Sequence, residues 1–335
     1  MQKDVRAWFR RRTFRTSDFD LPCLVEAKAR SGDRISVVLP ALNEERTVGE
    51  IVERIRSALV EDVPLVDELV VMDSGSQDRT AAVASAAGAT VVSAEEILRS
   101  HGRWPGKGDV LWKSLFATTG DIVAFLDADL IDFDPSFVTG LVGPLLTDPA
   151  VGYVKGLYDR PLQTVQGIAP EGGGRVTELI ARPLLNAIWP QLAGFVQPLS
   201  GEYAGRRSLL EAVPFASGYG VEIALLIDLL ELAGLDALAQ TDLGVRRHGH
   251  QADPALGRMA GQILQTALHR APWAPWAAAE SAMLTQFVRV EGGHEFVDWD
   301  VSTSDRPPMI TVTEYARRSR ALSPAPAATD RRNRR

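Results

Sequence analysis

Apolar positions along this chain switch repeatedly between two periods. Short β-branched runs alternate with stretches whose apolar residues recur every three to four positions. Residues 35–39 form the first run. Residues 44–59 then place Val48, Ile51, Val52, Ile55 and Leu59 on one helical face. Residues 69–72 and 90–92 predict the next strands, with "DRTAAVASAAGA" as the helix between them and Gly88 near its stop. Residues 107–117 predict a helix and residues 122–126 a fourth strand. This alternation with short connections implies an α/β fold, a mostly parallel sheet flanked by helices.

The second half is less regular. Strands are expected at 153–157 and 237–245, and helices at 176–188, 221–232 and 256–268. Leu256, Met259, Ile263, Leu264 and Leu268 share one face of the last. Residues 273–299 show no assignable element. Residues 1–30, basic with interspersed aromatics, predict a surface arm, or in a sharper reading a contact to an anion or a second subunit. The Pro/Ala/Arg-rich end predicts a disordered tail over 321–335. Between arm and tail the expected organisation is two halves, 31–150 and 151–320.

Composition narrows the picture. The 335 residues are 45% hydrophobic and 24% charged, an ordinary globular mixture with ample apolar side chain for a core. A net charge of -7 supplies no broad basic field and argues against nucleic-acid binding. The one cysteine, Cys23, excludes an intramolecular disulfide and a Cys-based zinc cluster. The N-terminus lacks an apolar segment of signal-peptide length. The most apolar helical run, 221–235, carries Glu222, Asp228 and Glu231, so it predicts a buried helix and not a membrane span. A cytoplasmic protein is expected.

Chemistry concentrates where strands end. In an open parallel sheet, ligands bind at the carboxyl ends of strands. Three successive runs end in "PALNEE" (40–45), "DSGSQDRT" (73–80) and "DADL" (127–130). Each alone is also explained by helix capping through Asn43, Ser76 or Asp78, but three together converge on one crevice. Asp127 and Asp129 repel each other unless a cation is near, and magnesium suits two carboxylates plus substrate phosphates. Lys107, between Gly106 and Gly108, and Arg175 with Thr177, after Gly172, Gly173 and Gly174, are two candidate anion cradles. The first is also a plain loop before a helix, the second a flexible turn. Glu222 opens an apolar helix and is explained equally well as a dipole partner. His248 in "RRHGH" is a candidate metal ligand, although a lone His seldom is one.

Together, "VVLPALNEE", "DSGSQDRT" and "DADL" resemble the nucleotide-sugar domain of GT-A glycosyltransferases. "PGKG", "GGGRVTELIARPLL", "QPLSGEYAGRRSLL", "GYGVEIALLID" and "LGVRRHGH" resemble the glucosyl-3-phosphoglycerate synthase family, over roughly residues 25–270. The resemblance implies a GT-A (Rossmann-like) fold with a C-terminal acceptor-binding part. It also implies a homodimer that moves glucose from UDP-glucose to the 2-hydroxyl of 3-phosphoglycerate with retention of configuration.

Carried over by position, Pro40, Ala41, Leu42 and Glu44 would hold the uridine, supported by Ser74. Lys107 would meet the diphosphate and sugar, Asp127 the sugar with Ala128 beside it, and Tyr219 and Glu222 would line the sugar pocket. Gly174, Arg175 and Thr177 would hold the phosphoglycerate. Asp129 and His248 would bind a divalent metal, Mg2+ or alternatively Mn2+ or Co2+. The chemistry then falls to Lys107, Asp127 and Glu222. A mannosyl-3-phosphoglycerate synthase using GDP-mannose is the nearest rival, and a sugar-nucleotide-binding protein without catalysis the rival of another class. A polyprenyl-phosphate glycosyltransferase would need membrane helices or a basic amphipathic face, and the sequence shows none beyond the short arm.

Overall fold

The structure, a computed structural model, describes residues 1–159, 162–164, 167–169, 174–245, 253–272, 282–290 and 293–322. The predicted tail beyond residue 322 lies outside the described residues. The first six strands are β1 (Thr13–Arg15), β2 (Ile35–Ala41), β3 (Glu68–Asp73), β4 (Thr90–Ser93), β5 (Ile122–Phe125) and β6 (Tyr153–Asp159). With Tyr203–Arg206 and Leu238–Val245 they form one eight-stranded sheet. Its spatial order is β1, the 238–245 strand, β6, the 203–206 strand, β5, β2, β3, β4. The sheet therefore runs unbroken across residue 150.

The first six helices are α1 (Lys3–Arg12), α2 (Leu21–Ser31), α3 (Val48–Arg56), α4 (Thr80–Ala86), α5 (Lys107–Ala117) and α6 (Ser136–Thr147). Helices cover both faces, which is why β2 and β5 are apolar without alternation. One buried layer holds Trp112, Leu115, Val221 and Leu225; the other holds Leu24, Ile51, Val138 and Leu141.

Several features depart from the sequence pattern. Residues 1–30 are built into the fold and do not form a surface arm. Val5 and Trp8 are buried, the Trp8 indole donates to the Leu238 carbonyl at 2.8 Å, and β1 closes the sheet edge against the 238–245 strand. Helix α6 has no predicted counterpart. It is buried over residues 137–146, so no polar face marks a period, and Gly140, Gly143 and Pro144 lower its helical signal. Its glycines are needed for contact: a Cβ at Gly143 would collide with the Phe19 ring. The strand Tyr203–Arg206 was also unforeseen. It is antiparallel to both neighbours, with Phe125 opposite Tyr203 on one side and Lys155 opposite Tyr203 on the other.

A buried ionic network ties the C-terminal segment to α5. Asp109 accepts from Arg306 Nε at 2.7 Å and lies 3.2 Å from the Lys113 ammonium. Arg306 also donates to the carbonyls of His101 and Gly102, at 2.6 and 2.9 Å, and stacks 4.0 Å from the Trp104 ring centroid. The loop 101–106 that leads into α5 is thereby fixed in place. Removing one member strands buried charge. Asp109→Ala is therefore expected to destabilise the fold by about 3–5 kcal/mol in urea unfolding. The exposed Arg11–Asp236 pair, broken by Arg11→Ala, should change stability by under about 1 kcal/mol. Equal effects of the two substitutions would refute this account.

Candidate functional site

The carboxyl ends of β2, β3 and β5 open onto a cleft of about 750 Å³. Fourteen of the fifteen residues proposed from sequence line it: Pro40, Ala41, Leu42, Glu44, Ser74, Lys107, Asp127, Ala128, Asp129, Gly174, Arg175, Thr177, Tyr219 and Glu222. The fifteenth, His248, lies outside the described residues.

Two loops are zipped together at the rim. Asn43 N donates to Ser76 Oγ at 3.0 Å, Gln77 N to Asn43 Oδ1 at 2.8 Å, and Glu44 N to Thr80 Oγ1 at 2.7 Å. Asn43, in the left-handed region at φ 59°, and Ser76 thus shape the loops and do not face the cleft, while Ser74 does. Arg103 pairs with Glu95 and donates to the Ser74 carbonyl at 3.1 Å, closing that end. Thr47 Oγ1 donates to the Ala128 carbonyl at 2.6 Å and pins the Asp127–Asp129 turn.

The centre of the cleft is an ion cluster. The Lys107 ammonium binds Asp127, lies 3.3 Å from Glu222 Oε1 and donates to the Gly201 carbonyl at 3.4 Å. Lys107 is the first residue of α5, Glu222 sits in the first turn of Val221–Ala233, and Asp127 follows β5. Burial alone would lower the Lys107 pKa, but Asp127 and Glu222 outweigh it and hold the ammonium above its ordinary range. Lys107 is therefore a fixed cation and no proton acceptor near neutral pH. Its flanking glycines serve close packing: a Cβ at Gly108 would collide with the Ala216 carbonyl, and one at Gly106 with the Gly218 backbone.

Carboxylates crowd the β5 end. The pKa of Glu44 is raised by burial, then by the charges of Asp129, Asp78 and Asp127. This surplus of hard oxygens fits Mg2+ or Mn2+. Among the described residues no three ligating side chains converge, so a metal at Asp129 would need ligands from beyond them. Across the cleft a helical run opens at Arg175, with Gly174 at φ 84° before it and the buried Thr177 in its first turn. Glycine there allows the left-handed turn that precedes the helical run.

Comparison with known proteins gives a consistent picture. Residues 36–211 match the model of glycosyl transferase family 2. The chain is 53% identical over 287 residues to the glucosyl-3-phosphoglycerate synthase of Mycolicibacterium smegmatis, covering 85% of this chain and 91% of that one. The Mycobacterium tuberculosis glucosyl-3-phosphoglycerate synthase, solved with Mn2+, UDP and phosphoglyceric acid, superposes with a TM-score of 0.77 at 48% identity. That match covers 87% of this chain and 94% of that one. The same enzyme is also solved with UDP-glucose, and with Mg2+ and UDP. Mannosyl-3-phosphoglycerate synthase from Rubrobacter xylanophilus superposes with a TM-score of 0.83 at 38% identity, over 91% of this chain and 97% of that one.

Sequence reasoning missed Gly201, Arg103 and Gln262, which also line the cleft. Gln262 accepts from Tyr219 N at 3.0 Å. The stretch "QPLSGEYAGRRSLL" carried a signal for Gly201 without saying which residue mattered. The structure does: a Cβ at Gly201 would collide with the Asp127 carboxylate. Gly201→Ala should displace Asp127 and cut the activity of the cleft by about 10²-fold, with the thermal unfolding midpoint little changed. Wild-type activity in that variant would show that the carboxylate's position is immaterial.

Proposed function

We infer that this chain transfers glucose from UDP-glucose to the 2-hydroxyl of 3-phosphoglycerate, since it belongs to glycosyl transferase family 2 and, within it, to the glucosyl-3-phosphoglycerate synthases. The observation that carries this reading is one cleft joining the Lys107–Asp127–Glu222 cluster to the Gly174–Arg175–Thr177 turn. A cation fixed between two carboxylates suits a sugar diphosphate, and a glycine turn with an arginine suits a phosphorylated carboxylic acid.

In this reading Pro40, Ala41, Leu42, Glu44 and Ser74 hold the uridine. Asp127, Tyr219 and Glu222 hold the sugar with Ala128 beside it, and Lys107 lies against the donor diphosphate. Arg175, Thr177 and the Gly174 backbone orient the acceptor hydroxyl toward the anomeric carbon, which supplies proximity. Asp129 and His248 hold the divalent metal, which when bound offsets the negative charge of the departing diphosphate. The configuration is retained. Lys107 keeps Glu222 engaged as an ion-pair partner, so Glu222 positions the sugar and forms no covalent intermediate; the leaving phosphate oxygen takes the acceptor proton. A trapped glycosyl–Glu222 adduct would refute that role.

The superposition on a mannosyl-3-phosphoglycerate synthase favours a second reading, with GDP-mannose as donor on the same scaffold. A panel of UDP-glucose, ADP-glucose, GDP-glucose and GDP-mannose with 3-phosphoglycerate and Mg2+ separates the two. Product mainly from UDP-glucose is expected; product mainly from GDP-mannose would transfer only the donor assignment. Asp129→Ala should lose about 10³-fold or more in turnover with its circular dichroism unchanged. Unchanged turnover would overturn the metal assignment.

The protein acts as a homodimer in this reading. The hairpin Met283–Val290 and Gly293–Asp300 pairs Phe287 with Phe296, 72% and 68% exposed, while Arg258 stacks on Trp299 from the helix Asp253–Arg270. An apolar pair this exposed calls for cover, and a second copy provides it. No described helix is long and apolar enough to cross a membrane. Sedimentation should give a dimer for the wild type and a monomer for Phe287→Ser/Phe296→Ser; a dimeric double variant would place the interface elsewhere.

A further inference from the structure

The helix Asp253–Arg270 supplies one wall of the cleft through Leu256, Met259, Gln262 and Ile263. Three of these are apolar, and Gln262 is the exception. None of the binding roles proposed above uses it. A polar group set in an apolar wall is how a ligand pocket fixes orientation and chooses between similar ligands.

Gln262 stands where three elements meet. A Cβ at Gly106, just before Lys107, would come within 2.5 Å of Gly218 Cα, and a Cβ at Gly218 within 2.3 Å of Gln262 Oε1. The Gly218 backbone is therefore all that separates the Gln262 amide from the loop that leads into Lys107. The turn Gly218–Gly220 is held from both sides. Gly218 N donates to the Pro105 carbonyl at 3.2 Å, and Tyr219 N to Gln262 Oε1 at 3.0 Å. That turn opens the helix Val221–Ala233, whose Glu222 reaches Lys107.

The hydrogen bond to Tyr219 also settles which way the amide faces. A main-chain N–H only donates, so the atom beside it must be the amide oxygen, and the NH2 group is turned the other way. Among the described residues Nε2 makes no hydrogen bond, and Gln262 is half-buried. Two N–H donors are thus left on the cleft wall next to Tyr219. They carry no charge, whereas Lys107 and Glu222 nearby are ionic and engaged with each other. A neutral donor suits a hydroxyl; a phosphate is better met by a cation.

We propose that Gln262 determines specificity for the transferred sugar: its Oε1 fixes the Gly218–Gly220 turn while its NH2 donates to one hydroxyl of the hexose. The inference rests on the transferase reading above and deepens it. Single hydroxyls are what distinguish a hexose from its epimers and deoxy relatives. A donor built for one of them is left unpaired when that hydroxyl is missing, and the loss appears as discrimination.

Deoxy donors test this on the full-length enzyme with 3-phosphoglycerate and Mg2+. The 2-, 3-, 4- and 6-deoxy analogues of the donor that the wild type prefers, UDP-glucose in this reading, are compared with that donor in kcat/KM. For a variant too slow to assay they are compared in Kd by titration calorimetry. In the wild type one analogue should lose about tenfold or more. In Gln262→Met, which has no N–H to offer, that same analogue should come within about twofold of the full donor, with the other penalties as in the wild type. Gln262→Glu keeps an acceptor for Tyr219 N and removes the NH2, so it should lose the same selectivity with the turn intact; it decides the question alone if the methionine variant does not fold. A residue that only held the turn would slow every donor alike in Gln262→Met and keep the wild-type penalties in Gln262→Glu. Unchanged penalties in Gln262→Glu, or no wild-type penalty above about twofold, overturn the role of Gln262 alone. A wild type that turns over no sugar nucleotide overturns the transferase reading and this role with it.

Discussion

Everything in the cleft is arranged around one half-buried ammonium. Lys107 reaches Asp127, Glu222 and the Gly201 carbonyl, and so joins the start of α5, the end of β5, the turn before the central antiparallel strand and the first turn of the 221–233 helix. Such a group is stable only if its neighbours compensate for lost hydration. That requirement constrains residues far apart in the chain. Gly201 must lack a side chain, because Asp127 occupies the space. Gly106 and Gly108 must let the α5 N-terminus approach the 216–218 backbone closely. The Asp109–Arg306 network behind α5 then anchors the helix that carries Lys107.

The electrostatic design is a gradient across the cleft. At one side Glu44 and the Asp127–Asp129 turn concentrate negative charge, and the Glu44 pKa is raised by burial first and then by that repulsion. At the other, Gly174, Arg175 and Thr177 line the cleft, where the proposed function puts the acceptor. A divalent metal would offset the repulsion between that acidic side and a dianionic sugar nucleotide. In that reading an overall acidic protein holds two anionic substrates next to each other.

Much of this was legible in the sequence. The strands β2, β3 and β5 are buried on both faces and announce themselves as β-branched runs, and the polar clusters after them mark the cleft. The other features were hidden for physical reasons. Helix α6 is buried all round and has no polar face to give its period away. The 203–206 strand is four residues long and contains a glycine, below what a period of two can reveal. Glu222 looked like a helix-dipole partner because its real partner, Lys107, is remote in sequence. The packing role of the glycines flanking Lys107 appears only in the tertiary structure, because the backbone they approach lies about a hundred residues away. Lys155 sits in a strand where a lysine would ordinarily mark the solvent face, and only the tertiary structure shows that both faces are covered.

The antiparallel strand at the sheet's centre has a consequence for how the chain folds as it is made. β5 and β6 have no mutual hydrogen bonds; each pairs with residues 203–206. β1, made first, pairs only with residues 240–242. Until the ribosome has released roughly two-thirds of the polypeptide, β5 presents an open, apolar edge, and β1 has nowhere to dock. Such long-range pairing slows folding and leaves a sticky edge exposed meanwhile. Assembly of this sheet is thus closed from the middle outward, late in synthesis, and truncations ending before residue 206 would yield an aggregation-prone fragment and not a smaller working domain.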